Sequence, residues 1–206
     1  MRAGRDGASV RLLAVTKIFS ADAIRDAYGL GLREFGENYV QEMEQKAPLV
    51  ADLEGARFHL IGHLQSNKTK RAAQLFSAID SVDSLKLARR LDADRDPEAG
   101  PLDVTIEVKL SHEDAKTGAP PDEVQEILDF MRSSKNLVAQ GLMSVPPWSE
   151  NAEDSRPYFA RLRELGEKLG LKELSMGMSN DLEVAIEEGA TWVRVGTALF
   201  GRRKKV

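Results

Sequence analysis

Cysteine is absent from this 206-residue chain. That excludes a disulfide framework, a thiolate metal site and a cysteine nucleophile. Also lacking is any run near the roughly 18 consecutive apolar residues of a membrane span. The opening Met1-Arg2-Ala3-Gly4-Arg5-Asp6-Gly7 has no apolar stretch of the signal-peptide kind. The sequence therefore reads as a soluble cytoplasmic protein with no membrane partner. An excess of positive charge is missing too: 29 Lys and Arg against 33 Asp and Glu leave a formal charge of −4. This balance argues against sequence-independent binding of nucleic acid, which needs a basic surface. What is present is a globular mixture, 42% apolar and 30% charged, in a length suited to one domain with a full core. A single domain over residues 1–206 is expected.

Short apolar runs alternate with longer amphipathic stretches. Strands are expected at 12–15, 34–35, 58–61, 78–82, 104–110, 137–145, 174–176 and 192–195. Between them the spacing predicts helices at 20–30, 39–50, 66–76, 84–91, 121–131, 156–169 and 181–188. Ser20 is a candidate cap for the first helix, whose Ile24, Ala27 and Tyr28 share a face, and Gly29 and Gly31 end it. The Asp-, Pro- and Gly-rich stretch 92–101 reads as a loop, because neither side alone completes a layered core. Eight strands, each followed by helix, give the rhythm of an α/β protein of the (β/α)8 TIM-barrel class. A doubly wound open sheet is the rival, but it would place a Gly-rich phosphate loop after the first strand, where this chain has Lys17.

In such a barrel the active groups sit at the carboxyl ends of the strands. Lys17 closes the first strand and shares parity with Leu13 and Val15. If these face inward, its amine reaches the barrel mouth, where partial desolvation favours the neutral, nucleophilic form; a surface lysine at a strand end is the alternative. Gly177 and the pair Gly196-Thr197 follow strands seven and eight, where this fold often builds a phosphate site. Ser175, Met176 and Thr197 are candidates for that cradle, against the alternative that the glycines only serve tight turns. Arg194 lies inside the last apolar strand and needs an anion, an acceptor or a barrel carboxylate. His59 and His63 fall on a strand and its end with no evident third metal ligand, so His63 reads as a hydrogen-bonding residue at the mouth. The basic helix start at 67–71 and the basic tail 202–205 fit solvated surfaces.

The stretches LLAVTK (12–17), FGENYVQE (35–42), FHLIGHLQSNK (58–68), GLMSVPP (141–147), LSMGMSNDLEVAI (174–186) and VRVGTALFG (193–201) together resemble the pyridoxal phosphate homeostasis proteins. These are single-domain relatives of the alanine racemase N-terminal barrel, and the likeness runs nearly end to end. It implies that Lys17 holds pyridoxal 5′-phosphate as a Schiff base. It implies that Ser175, Gly196 and Thr197 bind the phosphate with Met176 beside them, that Arg194 faces the pyridine nitrogen, and that Asn38 lies near the ring.

An arginine at the ring nitrogen leaves that nitrogen largely unprotonated, which makes the cofactor a poor electron sink. Racemases of this lineage also draw a tyrosine base from a second domain, and this sequence ends at Val206, just past the barrel. The resemblance thus implies a cofactor-binding and transfer protein with no established catalytic reaction, handing the cofactor to pyridoxal-phosphate-dependent apo-enzymes and acting as a monomer. The alternatives are an amino-acid racemase or lyase and a phosphosugar-type barrel enzyme. Two departures from the family pattern stand out: the extra first helix with which relatives usually begin is missing, through a truncated start or a less covered first strand, and Lys109 stands where relatives commonly carry Asn. Lys116 matches a lysine of the family loop, which implies a part in cofactor exchange.

Overall fold

The computed structural model describes residues 3–111 and 117–201. Lys116 and the basic run 202–205 lie outside the described residues. Eight parallel strands close into a barrel in sequence order, and β8 pairs back onto β1. They are β1 (Arg11–Val15), β2 (Glu34–Glu37), β3 (Arg57–Leu60), β4 (Ala78–Val82), β5 (Leu102–Glu107), β6 (Leu137–Met143), β7 (Glu173–Ser175) and β8 (Trp192–Val195). The helices between them are α1 (Ala21–Gly29), α2 (Val40–Lys46), α3 (Thr69–Leu75), α4 (Leu85–Asp94), α5 (Val124–Ser133), α6 (Arg156–Leu169) and α7 (Leu182–Glu187), with a last turn α8 (Thr197–Phe200). No helix among the described residues is long and apolar enough to cross a membrane.

The strand pattern follows from alternation. Ala14, Phe35, Leu60, Ile79, Val104 and Val193 are buried among the helices, and their neighbours in sequence point into the barrel. The helices answer at helical spacing: Val124, Ile127, Leu128 and Met131 of α5 are all buried. Strands four and eight and the sixth helix have the limits expected from sequence. Of the stretch 92–101, residues 92–94 belong to α4 and the remainder is a loop holding one short 3-10 turn; the strands on either side, β4 and β5, pair in the same sheet. The other limits shift by up to four residues, three of them for evident local reasons. The helix expected from Pro121 starts at Val124, because the Pro120-Pro121 pair first makes a turn closed by the Glu123 N–H on the Pro120 carbonyl. α4 runs on to Asp94, with Ser84 as its cap accepting the Leu87 N–H. β5 stops at Glu107: the Val108 N–H still reaches Met143 of β6, but the Glu107 carbonyl and the Lys109 N–H bond to Ala119 instead of continuing a strand ladder.

The barrel interior is polar at its amino end. There His59 sits between two carboxylates, Nδ1 at 3.0 Å from Asp80 and Nε2 at 2.9 Å from Glu34. Arg57 reaches Asp103 and Arg11 pairs with Glu173 while lying over the Trp192 ring. Burial opposes a charge on His59, but Asp80 and Glu34 outweigh it and lift the pKa to about 9. A pKa raised on folding supplies stability that is complete below the ordinary histidine value and is lost as pH rises through the folded value. Stability in urea is therefore expected to fall by roughly 3 kcal/mol between pH 6.5 and 10, at about 1.4 kcal/mol per pKa unit. A His59→Gln variant flattens that decline. A wild-type profile level across this range would show that His59 carries no charge in the folded protein.

Candidate functional site

At the carboxyl ends of the strands two adjoining cavities open. One, of about 620 Å³, is lined by Lys17, Arg194, Gly196 and Thr197, by Val145 to Ser149, and by Met178 to Asp181. The other, of about 320 Å³, is lined by Lys17, Asn38, His63, Glu107, Thr117 and Arg194 among others. Both volumes are of small-molecule size. Lys17 and Arg194 border both, so they stand at the junction.

Lys17 lies two residues past the end of β1, in register with inward-facing Leu13 and Val15, and it is half-buried. Its sequence-derived position at the mouth is where the structure has it. Thr16, of opposite parity, turns outward to the helices and donates to Glu37 Oε1 at 2.7 Å. Lys46 of α2 completes this cluster. Its Nζ donates to the Thr16 carbonyl (2.9 Å), to Glu37 (2.8 Å) and to Glu42 (2.6 Å). Glu42 also accepts the N–H of Ile18, whose φ of 67° lies in the left-handed region. The Glu37 carboxyl is fully buried and its Oε2 has no hydrogen-bond partner among the described residues. Burial raises its pKa, with Lys46 and Thr16 pulling the other way.

Asn38 follows β2 and is packed backbone to backbone against the loop after β3. A Cβ on Gly62 would stand 2.3 Å from the Asn38 carbonyl oxygen, so only glycine lets these two loops approach. His63, on the same loop, is exposed and sits 3.2 Å from Asp83.

Arg194 is the floor of the site. It is 4% exposed, and its guanidinium donates to the Ser175 carbonyl (2.7 Å), the Ser175 hydroxyl (2.9 Å) and the Ser144 carbonyl (2.9 Å). Three of its five N–H donors are thus used, and among the described residues Nε and the second Nη2 hydrogen take no partner. Burial lowers its pKa, while Asp80, Glu107 and Asp181 hold it up. The acceptors Arg194 meets among the described residues are two carbonyls and a hydroxyl, and the carboxylates Asp80, Glu107 and Asp181 act on it through space.

The expected cradle residues lie at different depths. Ser175 ends β7 pointing into the barrel below Arg194, and Met176, the next residue, points outward into the core. Neither lines the mouth cavities: Ser175 lies beneath the Arg194 guanidinium, and Met176, of opposite parity, faces the helices. The chain turns at Gly177, where φ is 92°, and presents Met178, Ser179 and Asn180 instead. A Cβ on Gly177 would meet the Ala185 side chain at 2.5 Å, so this turn also needs glycine. Ser179 Oγ accepts the Ala198 N–H at 3.4 Å, joining the loops after β7 and β8.

Glu107 escaped sequence reasoning. It is buried at the end of β5, accepts from Thr117 Oγ1 at 2.9 Å, and faces Arg194, Asp83 and His63. Burial raises its pKa, the Thr117 bond opposes this, and Asp83 adds to it. The signal was its parity with inward Thr105, hidden by carrying the strand on to Leu110. Lys109 is half-buried and outside both cavity linings.

The model of the alanine racemase N-terminal domain matches residues 2–204, and the chain belongs to that family of barrels. Within it, the chain is 48% identical over 203 residues to the pyridoxal phosphate homeostasis protein of Pseudomonas aeruginosa, covering 98% of this chain and 88% of that one. Against the protein of the same name from Aquifex aeolicus the identity is 43%, covering 98% and 91%. The protein is therefore a member of the pyridoxal phosphate homeostasis proteins. Among solved structures, PipY of Synechococcus elongatus PCC7942 with PLP bound is 40% identical, with a TM-score of 0.87 over 97% of this chain and 96% of that one.

Proposed function

We propose that this protein binds pyridoxal 5′-phosphate and holds it reversibly on Lys17 for delivery to other proteins. The observation that carries the reading is the sharing of one mouth by an inward lysine amine, a buried arginine with spare donors, and two joined glycine turns bearing hydroxyls. The bound cofactor would supply an aldehyde. Lys17 is the residue that would link to it as an imine, with one water lost on linking and taken up again on release. Gly196, Thr197 and Ser179 suit the phosphate, since bare backbone and hydroxyl groups can approach its oxygens. Arg194 suits the pyridine nitrogen through a donor that the protein does not use, and Ser175 fixes its guanidinium from below. Met176 acts only as packing behind that strand. Asn38, on the β2 side of the smaller cavity, suits the ring. Val145, Pro146 and Trp148 give apolar cover.

A reversible link suits transfer to pyridoxal-phosphate-dependent apo-enzymes in the cytoplasm.

One observation favours a racemase or lyase instead: the Glu107 carboxyl, its pKa raised by burial, borders the same cavity and could act as a base. Arg194 opposes it. A guanidinium keeps its proton at ordinary pH and so cannot leave the ring nitrogen charged. Incubation of the loaded protein with L-amino acids, read by chiral chromatography, is expected to give no turnover above that of the free cofactor. Turnover that disappears in Glu107→Gln would establish the enzyme.

A further inference from the structure

Both peptide groups flanking Lys17 are tied to one helix. The carbonyl of Thr16, which belongs to the 16–17 peptide, accepts from Lys46, and the N–H of Ile18, in the 17–18 peptide, donates to Glu42. These two α2 residues are an i,i+4 ion pair with N–O at 2.6 Å. The grip comes from the helix side, whereas the Lys17 side chain leaves toward the mouth.

Two features indicate that the grip does more than close a loop. Ile18 is held left-handed although it is β-branched and 62% exposed, so no packing rewards the conformation. Strain of this kind persists only where its surroundings over-determine it. Lys46 is also almost fully buried with Glu37 beneath it. A buried ion pair is a poor device for stability alone, and it brings definite geometry instead.

We propose that Glu42 and Lys46 are positioning residues that set the backbone of Lys17, and through it the place from which the amine attacks. This rests on the reading of Lys17 as the residue that links to the cofactor. It predicts a split between linking and binding. The test compares wild type, Glu42→Ala and Glu42→Gln, since glutamine keeps an acceptor oxygen for the Ile18 N–H and alanine does not. Two constants are measured: covalent linking of pyridoxal 5′-phosphate, by visible absorbance, and affinity for pyridoxine 5′-phosphate, whose alcohol cannot link, by calorimetry.

Glu42→Ala is expected to weaken linking by at least about tenfold, the scale of one lost charge-assisted hydrogen bond. Affinity for the alcohol should stay within about twofold, and Glu42→Gln should recover most of the linking. Equal losses in both constants would reveal a merely structural role, and unchanged linking would show that the grip is idle; either result overturns the proposal. A wild-type protein that binds the alcohol but never links the aldehyde would overturn the reading of Lys17, and the clamp with it.

Discussion

Lys17→Ala removes the visible absorbance that the wild-type protein gains on mixing with pyridoxal 5′-phosphate. The variant keeps Arg194, Gly196 and Thr197, so it still binds the cofactor without a bond to it. Affinity is expected to fall on the order of a hundredfold, or about 2.7 kcal/mol, as the covalent contribution is lost. Folding should be little affected, because Lys17 is half-buried at the end of a strand whose packing depends on Leu13, Ala14 and Val15. Spectrophotometric titration against unchanged thermal melting checks both halves. Retained absorbance in the variant would move the link to another amine, with Lys109 the nearest by sequence to the strand ends.

Lys46→Met produces the largest change in stability. It takes the counter-charge from Glu37, whose carboxyl is fully buried and already carries one oxygen without a partner. Breaking a buried pair from one side costs roughly 3–5 kcal/mol, a large fraction of the 5–15 kcal/mol typical of a whole domain. The pH dependence has a definite sign. Burial already raises the folded pKa of Glu37, and without Lys46 it rises further. The variant is accordingly least stable at neutral and alkaline pH and regains stability as the solution is acidified toward the carboxylate range. Urea unfolding at pH 5 and pH 8 shows the difference. The double variant Lys46→Met/Glu37→Gln should recover most of the loss at pH 8, since no buried charge is then left without a partner. A single variant within about 1 kcal/mol of wild type would mean that Glu37 is neutral in the native protein.

These two residues also mark what the sequence discloses. Lys17 is legible because strand parity is rigid: counting from Leu13 and Val15 puts it inward, and barrel logic puts it at the mouth. Arg194 is legible because a cation within an apolar strand demands partners. The eight-fold rhythm survives shifts of several residues at individual limits, as in β5 and α5, since each unit needs only its own apolar face. The cluster around Lys46 is not legible in this way. Its members are far apart in the chain, Thr16, Glu37 and Lys46 meet only once β1, β2 and α2 are packed, and each alone resembles a surface residue. Ser175 and Met176 are placed by alternation, one under Arg194 and the other in the outer core, and the turn at Gly177 brings Met178, Ser179 and Asn180 to the mouth. Glu107 is hidden because the apolar run continues past it to Leu110, so nothing in the sequence marks it as a strand end.

The most direct measurement is borohydride reduction of the protein mixed with pyridoxal 5′-phosphate, followed by intact mass spectrometry and peptide mapping. Reduction fixes a C=N bond permanently, so the result does not depend on affinity. One cofactor per chain, on the peptide that contains Lys17 and absent from Lys17→Ala, is the predicted result. No added mass, or label spread over other lysines with Lys17 unmodified, would contradict the account.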